Sequence, residues 1–183
     1  MQHNKIFVQD NFFEDDFLKN IQKEIVSMEF SSRYNDISTK DKKNLGKNQR
    51  TYHQAELSQN SLVVSKVKDK IKQHFNVGGI QEMLSYYFLS FPNTNPIPHD
   101  DKSVYNCLIY LLGDPLINNG TGFYEKNQNE YTLHTHIGFK QNRAIFFSSS
   151  IWHSPLQFAG NSTPRYIMAN FIFKTDKEEY ATR

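Results

Sequence analysis

Cysteine is almost missing from this sequence: Cys107 is the single one in 183 residues. No intrachain disulfide can form, and no oxidising compartment is needed to hold the chain together. Long hydrophobic runs are missing as well. No stretch approaches the roughly 18 apolar residues of a membrane span, and the opening MQHNKIFVQDNFFEDD has no long apolar core of a secretion signal. Nor does one sign of charge dominate. The 21 lysines and arginines meet 19 acids, a net charge of +2, so the charge balance gives no pointer to nucleic acid. The expectation from these absences is a cytoplasmic protein with no membrane association.

Aromatic residues, by contrast, are plentiful: 10 Tyr and 15 Phe, a surplus that favours strands. Charged residues at 22% and hydrophobic ones at 38% describe a globular chain rather than a disordered one. The length fits one domain over 1–183, long enough to bury a core. No internal repeat or low-complexity tract interrupts it.

Residues 5–9 (KIFVQ) read as a short strand. Phe17, Leu18, Ile21, Ile25 and Met28 then recur at three- and four-residue spacing, the mark of one helical face. Residues 31–55 are polar and without period, and read as a long loop that could act as a lid. A second amphipathic helix fits 61–75, with Val64, Val67, Ile71 and Phe75 inward and Asn60 or Ser61 as its cap. From residue 80 the texture changes to strand-like runs: IQEMLSYYFLSF, SVYNCLIYLL, TGFYEK, EYTLHTHIGF, RAIFFSSS and RYIMANFIFK. A helical part over 1–79 followed by strands over 80–174 gives an α+β order. Strands without intervening helices predict an antiparallel sandwich or barrel, a jelly-roll-like core with helices flanking it.

One stretch carries chemistry. In NPIPHDDKSVYNCLIYLL a proline-broken loop delivers His99, Asp100 and Asp101 to the start of an apolar strand. If the chain is extended there, His99 and Asp101 point the same way and offer an imidazole and a carboxylate to one point. Among the remaining histidines His153 stands out, because it follows the apolar run RAIFF and precedes a polar turn. Two histidines and one carboxylate leave three positions open, which suits a non-haem Fe(II) that must also bind a co-substrate and O₂. Arg165, opening RYIMANFIF, would need an anionic partner if buried, and a dicarboxylate supplies one.

An ordered set of features runs through residues 80–174: Phe91-Pro92, His99-x-Asp101, CLIYLL, NGTGFYE, NRAIFF, His153, and Arg165-Tyr166. In this order the chain resembles the Fe(II)/2-oxoglutarate-dependent dioxygenases, within them the prolyl-hydroxylase-like branch. The resemblance implies a double-stranded β-helix (jelly-roll) core, with His99, Asp101 and His153 as ligands of Fe(II). It implies that Arg165 and Tyr110 hold the distal carboxylate of 2-oxoglutarate. Where that branch often has a tyrosine before the proline, this chain has Phe91; Tyr86 or Tyr87 would have to replace it, and Tyr87 is the position expected to bind co-substrate. The implied reaction consumes O₂ and 2-oxoglutarate, releases succinate and CO₂, and hydroxylates a substrate: a peptidyl proline, a free amino acid or another small molecule. Asp101 stands where related halogenases carry Gly or Ala, so hydroxylation is the implied outcome. Position 171 is Phe, not the second arginine usual in the nucleic-acid demethylase branch.

Blander roles compete for each residue. A lone histidine beside an acid is more often a capped loop residue, and Tyr110 in an apolar strand is by default core. His134 and His136 alternate on one strand without an acid or thiol beside them on that stretch, which favours ordinary barrel positions over a second metal site. Cys107 reads as a small apolar filler. Lys40, Lys42, Lys43, Lys47 and Arg50 read as a solvated loop rather than an anion clamp. The competing class of function is a non-catalytic jelly-roll module that binds a metal or small ligand.

Overall fold

The computed structural model describes residues 5–34, 51–91, 98–116, 119–128, 130–157 and 163–175. Their elements in chain order are β1 (Ile6–Gln9), α1 (Asp15–Ser27), β2 (Ser31–Tyr34), β3 (Thr51–Glu56), α2 (Leu62–Phe75) and β4 (Ile80–Ser90). There follow β5 (Tyr105–Leu112), β6 (Asn119–Asn127), β7 (Glu130–Gly138), β8 (Ala144–Ser148), β9 (Trp152–Gln157) and β10 (Arg165–Thr175).

The strands form two antiparallel sheets. A seven-stranded sheet runs in the order β1-β8-β5-β10-β4-β3-β2, and a three-stranded sheet runs β7-β6-β9. The larger sheet is buried on both faces at its centre, which is why β5 reads YNCLIYLL rather than alternating apolar with polar. Tyr105, Cys107, Ile109 and Leu111 join the cluster under the helices, with Met83, Tyr87, Phe146, Met168 and Ile172. Leu108 and Tyr110 point the other way, into the interior between the sheets with Ile145, Phe147, Ala169 and Phe123. This is the jelly-roll core, and its inner face is where a site can form.

The helices cover the outer face of the large sheet. In α1, Leu18, Ile21 and Ile25 are buried and two acids, Asp15 and Asp16, sit in the first turn, where the helix dipole favours them. In α2, the Ser61 hydroxyl accepts from the Val64 N–H at 3.2 Å, so Ser61 is the cap. Asn76, with φ 52°, ends that helix in the left-handed conformation.

Three expectations change. Residues 31–55 are not one loop: β2 and β3 occupy its ends and pair with each other, Ser31 opposite Gln54 and Tyr34 opposite Thr51. The lid expectation rests on residues 35–50, which lie outside the described residues. The part expected to be helical, 1–79, contributes β2 and β3 to the large sheet beside β1, the strand expected at 5–9. Finally, the polar turn expected after His153 does not begin there: Trp152–Gln157 is a strand, β9. Its Pro155 sits opposite Thr121 in an edge strand, the place in a sheet where a missing N–H is tolerated.

Candidate metal centre and co-substrate pocket

The loop before β5 is joined to the small sheet through two residues far apart in the chain. His99, just before β5, makes an isolated antiparallel bridge with His153 of β9. The His99 N–H donates to the His153 carbonyl at 3.0 Å, and the His153 N–H to the His99 carbonyl at 2.8 Å. His99 thereby lies beside the edge strand β9 of the small sheet, and the two imidazoles stand with ring centroids 4.6 Å apart.

Asp101 completes the group. Its N–H donates to the Ser149 carbonyl at 3.0 Å, which tethers the loop to the turn after β8. One donor atom from each of His99, Asp101 and His153 lies within 4.8 Å of the others. His153 is 5% exposed and its Nε2 faces Asp101 Oδ2 at 3.3 Å. Neighbouring ligands of an octahedral ion with bonds of about 2.1 Å lie about 3 Å apart, so this spacing fits a shared metal. The second nitrogen of His153, Nδ1, lies 2.9 Å from the Ile151 carbonyl. A proton on Nδ1 makes that bond and leaves the Nε2 lone pair for a metal.

Burial is the largest influence on the Asp101 carboxyl and pushes its pKa up. The His153 contact, the two histidine charges and Asn106 together outweigh it, and the net direction is down. The carboxylate is thus held ionised, as a ligand must be. Asn106 Nδ2 donates to Asp101 Oδ2 at 2.6 Å. Ser103 Oγ and Ser149 Oγ reach Asn106 Oδ1 at 2.7 and 3.1 Å.

Deeper in the interior, Arg165 is 1% exposed. One guanidinium nitrogen, Nη1, donates to the Gly120 carbonyl, and its Nε has no partner among the described residues. A Cβ at position 120 would collide with the Ile137 carbonyl, so only glycine lets β6 and β7 come together here. Burial pushes the Arg165 pKa down, while the Tyr110 phenol acts in the opposite direction. Tyr110 is fully buried and its hydroxyl donates to Thr121 Oγ1 at 2.7 Å, with the Ile137 carbonyl at 3.2 Å. Burial pushes that phenol up to about 12. No carboxylate pairs with Arg165 among the described residues. A buried cation without a counter-charge is costly, and an anionic ligand would supply one.

Tyr87 is placed elsewhere. In the register Met168 lies opposite both Tyr87 and Ile109, and all three belong to the helix-side cluster. Tyr110 lies opposite Ile167, whose other partner is Phe88, and these face the interior. Side chains alternate across a strand, so Phe88 and Tyr86 face inward and Tyr87 does not. Tyr86 packs its ring against Phe88 and Phe171 with centroids 6.1 and 6.0 Å away. Phe91 is 42% exposed and its ring meets His53 edge-on. His134 is exposed beside Glu125 at 3.8 Å, and neither it nor His136 joins the triad. Cys107 is buried under the helices, where burial pushes its thiol up.

Asn106, Ser103, Ser149 and Thr121 were not anticipated from sequence. The one available signal was the polar Asn106 inside the apolar run of β5.

The two-sheet jelly roll is a fold that this chain shares with prolyl hydroxylases and other 2-oxoglutarate-dependent enzymes. Solved structures of that class are similar to this chain over nearly its whole length. A prolyl hydroxylase from Trichoplax adhaerens, in complex with a hypoxia-inducible-factor oxygen-degradation-domain peptide, has a TM-score of 0.65 at 16% identity, covering 93% of this chain and 84% of that one. A Pseudomonas putida prolyl-4-hydroxylase has a TM-score of 0.62 at 11% identity, with 94% of both chains covered. HygX from Streptomyces hygroscopicus, with nickel, 2-oxoglutarate and hygromycin B bound, has a TM-score of 0.64 at 10% identity, covering 94% of this chain and 85% of that one. At these identities the likeness is one of fold. No protein-family model and no curated protein matches the sequence.

Proposed function

We propose that this protein is an Fe(II)- and 2-oxoglutarate-dependent dioxygenase that hydroxylates its substrate and releases succinate and CO₂. The observation that carries the reading is Arg165: a buried guanidinium with an unpartnered Nε, next to the Tyr110 phenol and inside the same barrel as the His99–Asp101–His153 cluster. A protein that only held a metal would have no need of that cation.

His99, Asp101 and His153 would hold the iron, leaving three positions for co-substrate and O₂. Arg165 and Tyr110 would hold the distal carboxylate of 2-oxoglutarate, the guanidinium by charge-assisted hydrogen bonds. Bound iron supplies the oxidising chemistry; the chain supplies binding, orientation and exclusion of water. Water is excluded by Phe123 and Phe147, whose rings pack beside His153 at centroid distances of 6.4 and 4.8 Å. On the substrate side, half-buried Tyr86, Phe88 and Phe171 line the inner face of β4 and β10. Phe171 lies opposite Asn106, the residue bonded to Asp101. That wall favours a substrate that presents an apolar carbon to the metal, as a prolyl ring or an aliphatic amino-acid side chain does.

Anaerobic addition of Fe(II) and 2-oxoglutarate should give a weak visible charge-transfer band. O₂ with prolyl peptides and free amino acids should then release succinate in proportion to hydroxylated product. Binding of both ligands without turnover on any substrate would leave a metal- and ligand-binding module instead.

A further inference from the structure

The hydrogen bond from Asn106 to Asp101 belongs to a closed arrangement. Asn106 is fully buried on β5. Its Nδ2 donates to Asp101 Oδ2 at 2.6 Å, the same oxygen that faces His153 Nε2 at 3.3 Å. At its other end, Oδ1 lies 2.7 Å from Ser103 Oγ and 3.1 Å from Ser149 Oγ, and those two hydroxyls are 2.7 Å from each other. Two hydroxyl protons serve three contacts, so two bonds form at a time. The shorter pair makes a chain running Ser149 to Ser103 to Asn106. An ionised carboxylate only accepts, so the amide turns its NH₂ toward Asp101, and its Oδ1 is left to accept from the serine hydroxyls.

Ser149 is tied in by its backbone too. Its N–H donates to the Val104 carbonyl at 3.1 Å, and its carbonyl accepts from the Asp101 N–H at 3.0 Å. Main chain and carboxylate of Asp101 are therefore held by one unit. Asp101 comes from a loop, and a loop carboxylate turning about two bonds would otherwise sample orientations useless to a metal. Loss of an outer partner of a metal ligand typically costs about 10–100-fold in metal affinity.

We infer that Asn106 is a positioning residue for the metal site: clamped by Ser103 and Ser149, it holds the Asp101 carboxylate in the one orientation that meets the metal beside His153. This rests on the proposed metal triad and adds a residue that the triad alone does not predict.

The test is Co(II) titration of apo-protein, followed by the visible d–d absorption of the bound ion, with folding checked by circular dichroism. Wild type should bind, and Asp101→Ala should bind far more weakly; failure of either overturns the triad itself, and the inference with it. Given both, Asn106→Ala should weaken Co(II) binding by about 10–100-fold without 2-oxoglutarate present. In the Asp101→Ala background the same change should have no further effect, because Asn106 acts through that carboxylate. A folded Asn106→Ala with wild-type Co(II) affinity, or an undiminished effect without Asp101, would overturn the inference while leaving the triad standing. If Asn106→Ala does not fold, Ser103→Ala decides: it removes one donor to Oδ1 and should weaken Co(II) several-fold, and unchanged affinity overturns the inference.

Discussion

Asp101 Oδ2 and His153 Nε2 face each other at 3.3 Å, although one comes from a loop before β5 and the other from edge strand β9 of the opposite sheet. The paired backbone bonds between His99 and His153 bring these segments together, and the side chains inherit a spacing that suits one ion. Asp101→Ala and His153→Ala should each lose more Fe(II) affinity than the roughly 10–100-fold cost of an outer partner. Coupled succinate release should disappear in both. Full activity with full iron affinity in Asp101→Ala would show that the triad is wrong.

Tyr87 offers a contrast with Tyr110. Its hydroxyl is buried under the helices without a partner among the described residues, and burial raises its pKa. Tyr87→Phe should leave 2-oxoglutarate affinity unchanged. It should also raise stability by on the order of 1 kcal/mol, since a buried unsatisfied hydroxyl is a cost removed. Urea denaturation and a co-substrate titration of the same variant check both halves. A clear loss of 2-oxoglutarate binding would put Tyr87 back in the pocket.

The different fates of these tyrosines show what could be read from sequence. Helix stripes such as Val64, Val67, Ile71 and Phe75 repeat with a period that survives folding unchanged, and their burial followed. His99, Asp101, His153 and Arg165 were legible as an ordered set, because their chemistry is conspicuous among apolar strands. Choosing between Tyr86 and Tyr87 needed the register of β4 on β10, and a one-residue error moves a side chain to the opposite face. β2 and β3 were hidden for another reason: β2 is the edge strand of the large sheet and β3 is its neighbour. Strands at the margin of a sheet need no apolar alternation, and SSRY and TYHQAE carry little. β9 was masked by its proline.

A fold-stability prediction rests on Asp10, in the turn after β1. Arg143 Nε donates to it at 2.7 Å and Lys140 Nζ at 2.7 Å, tying the first strand to the turn between β7 and β8. The Arg143 hydrogen bond is the largest influence and, with Lys140, holds the carboxyl at about 2 against the opposing effect of burial. An unfolded aspartate titrates near about 3.9. The pair's contribution is therefore complete above that value and is lost as pH falls through about 2. Asp10→Asn should lower the melting temperature at neutral pH, with the gap to wild type closing between about pH 4 and pH 2. High salt should shrink the gap, since the carboxylate is 34% exposed. A gap that persists unchanged at the acid end would assign the effect to packing instead.

The co-substrate assignment is tested by Arg165 and Tyr110 together. Removing a buried charged partner typically costs about 2–5 kcal/mol, so Arg165→Ala should weaken 2-oxoglutarate binding at least tenfold, about 1.4 kcal/mol per decade. Arg165→Lys keeps the charge but loses the planar fork, and should fall between. Fe(II) affinity should barely move in either variant, because the guanidinium belongs with Gly120 and Tyr110 and not with the triad. Tyr110→Phe removes one hydrogen bond to a charged group, worth about 1.5–3 kcal/mol, and also leaves Thr121 without its donor. If both side chains hold one carboxylate, the double variant should lose less than the sum of the two single losses. The measurement is a 2-oxoglutarate titration at fixed iron of wild type, the single variants and the double. An unchanged 2-oxoglutarate affinity in Arg165→Ala would remove the main support for a dioxygenase, since the buried cation would then have no ligand to explain it.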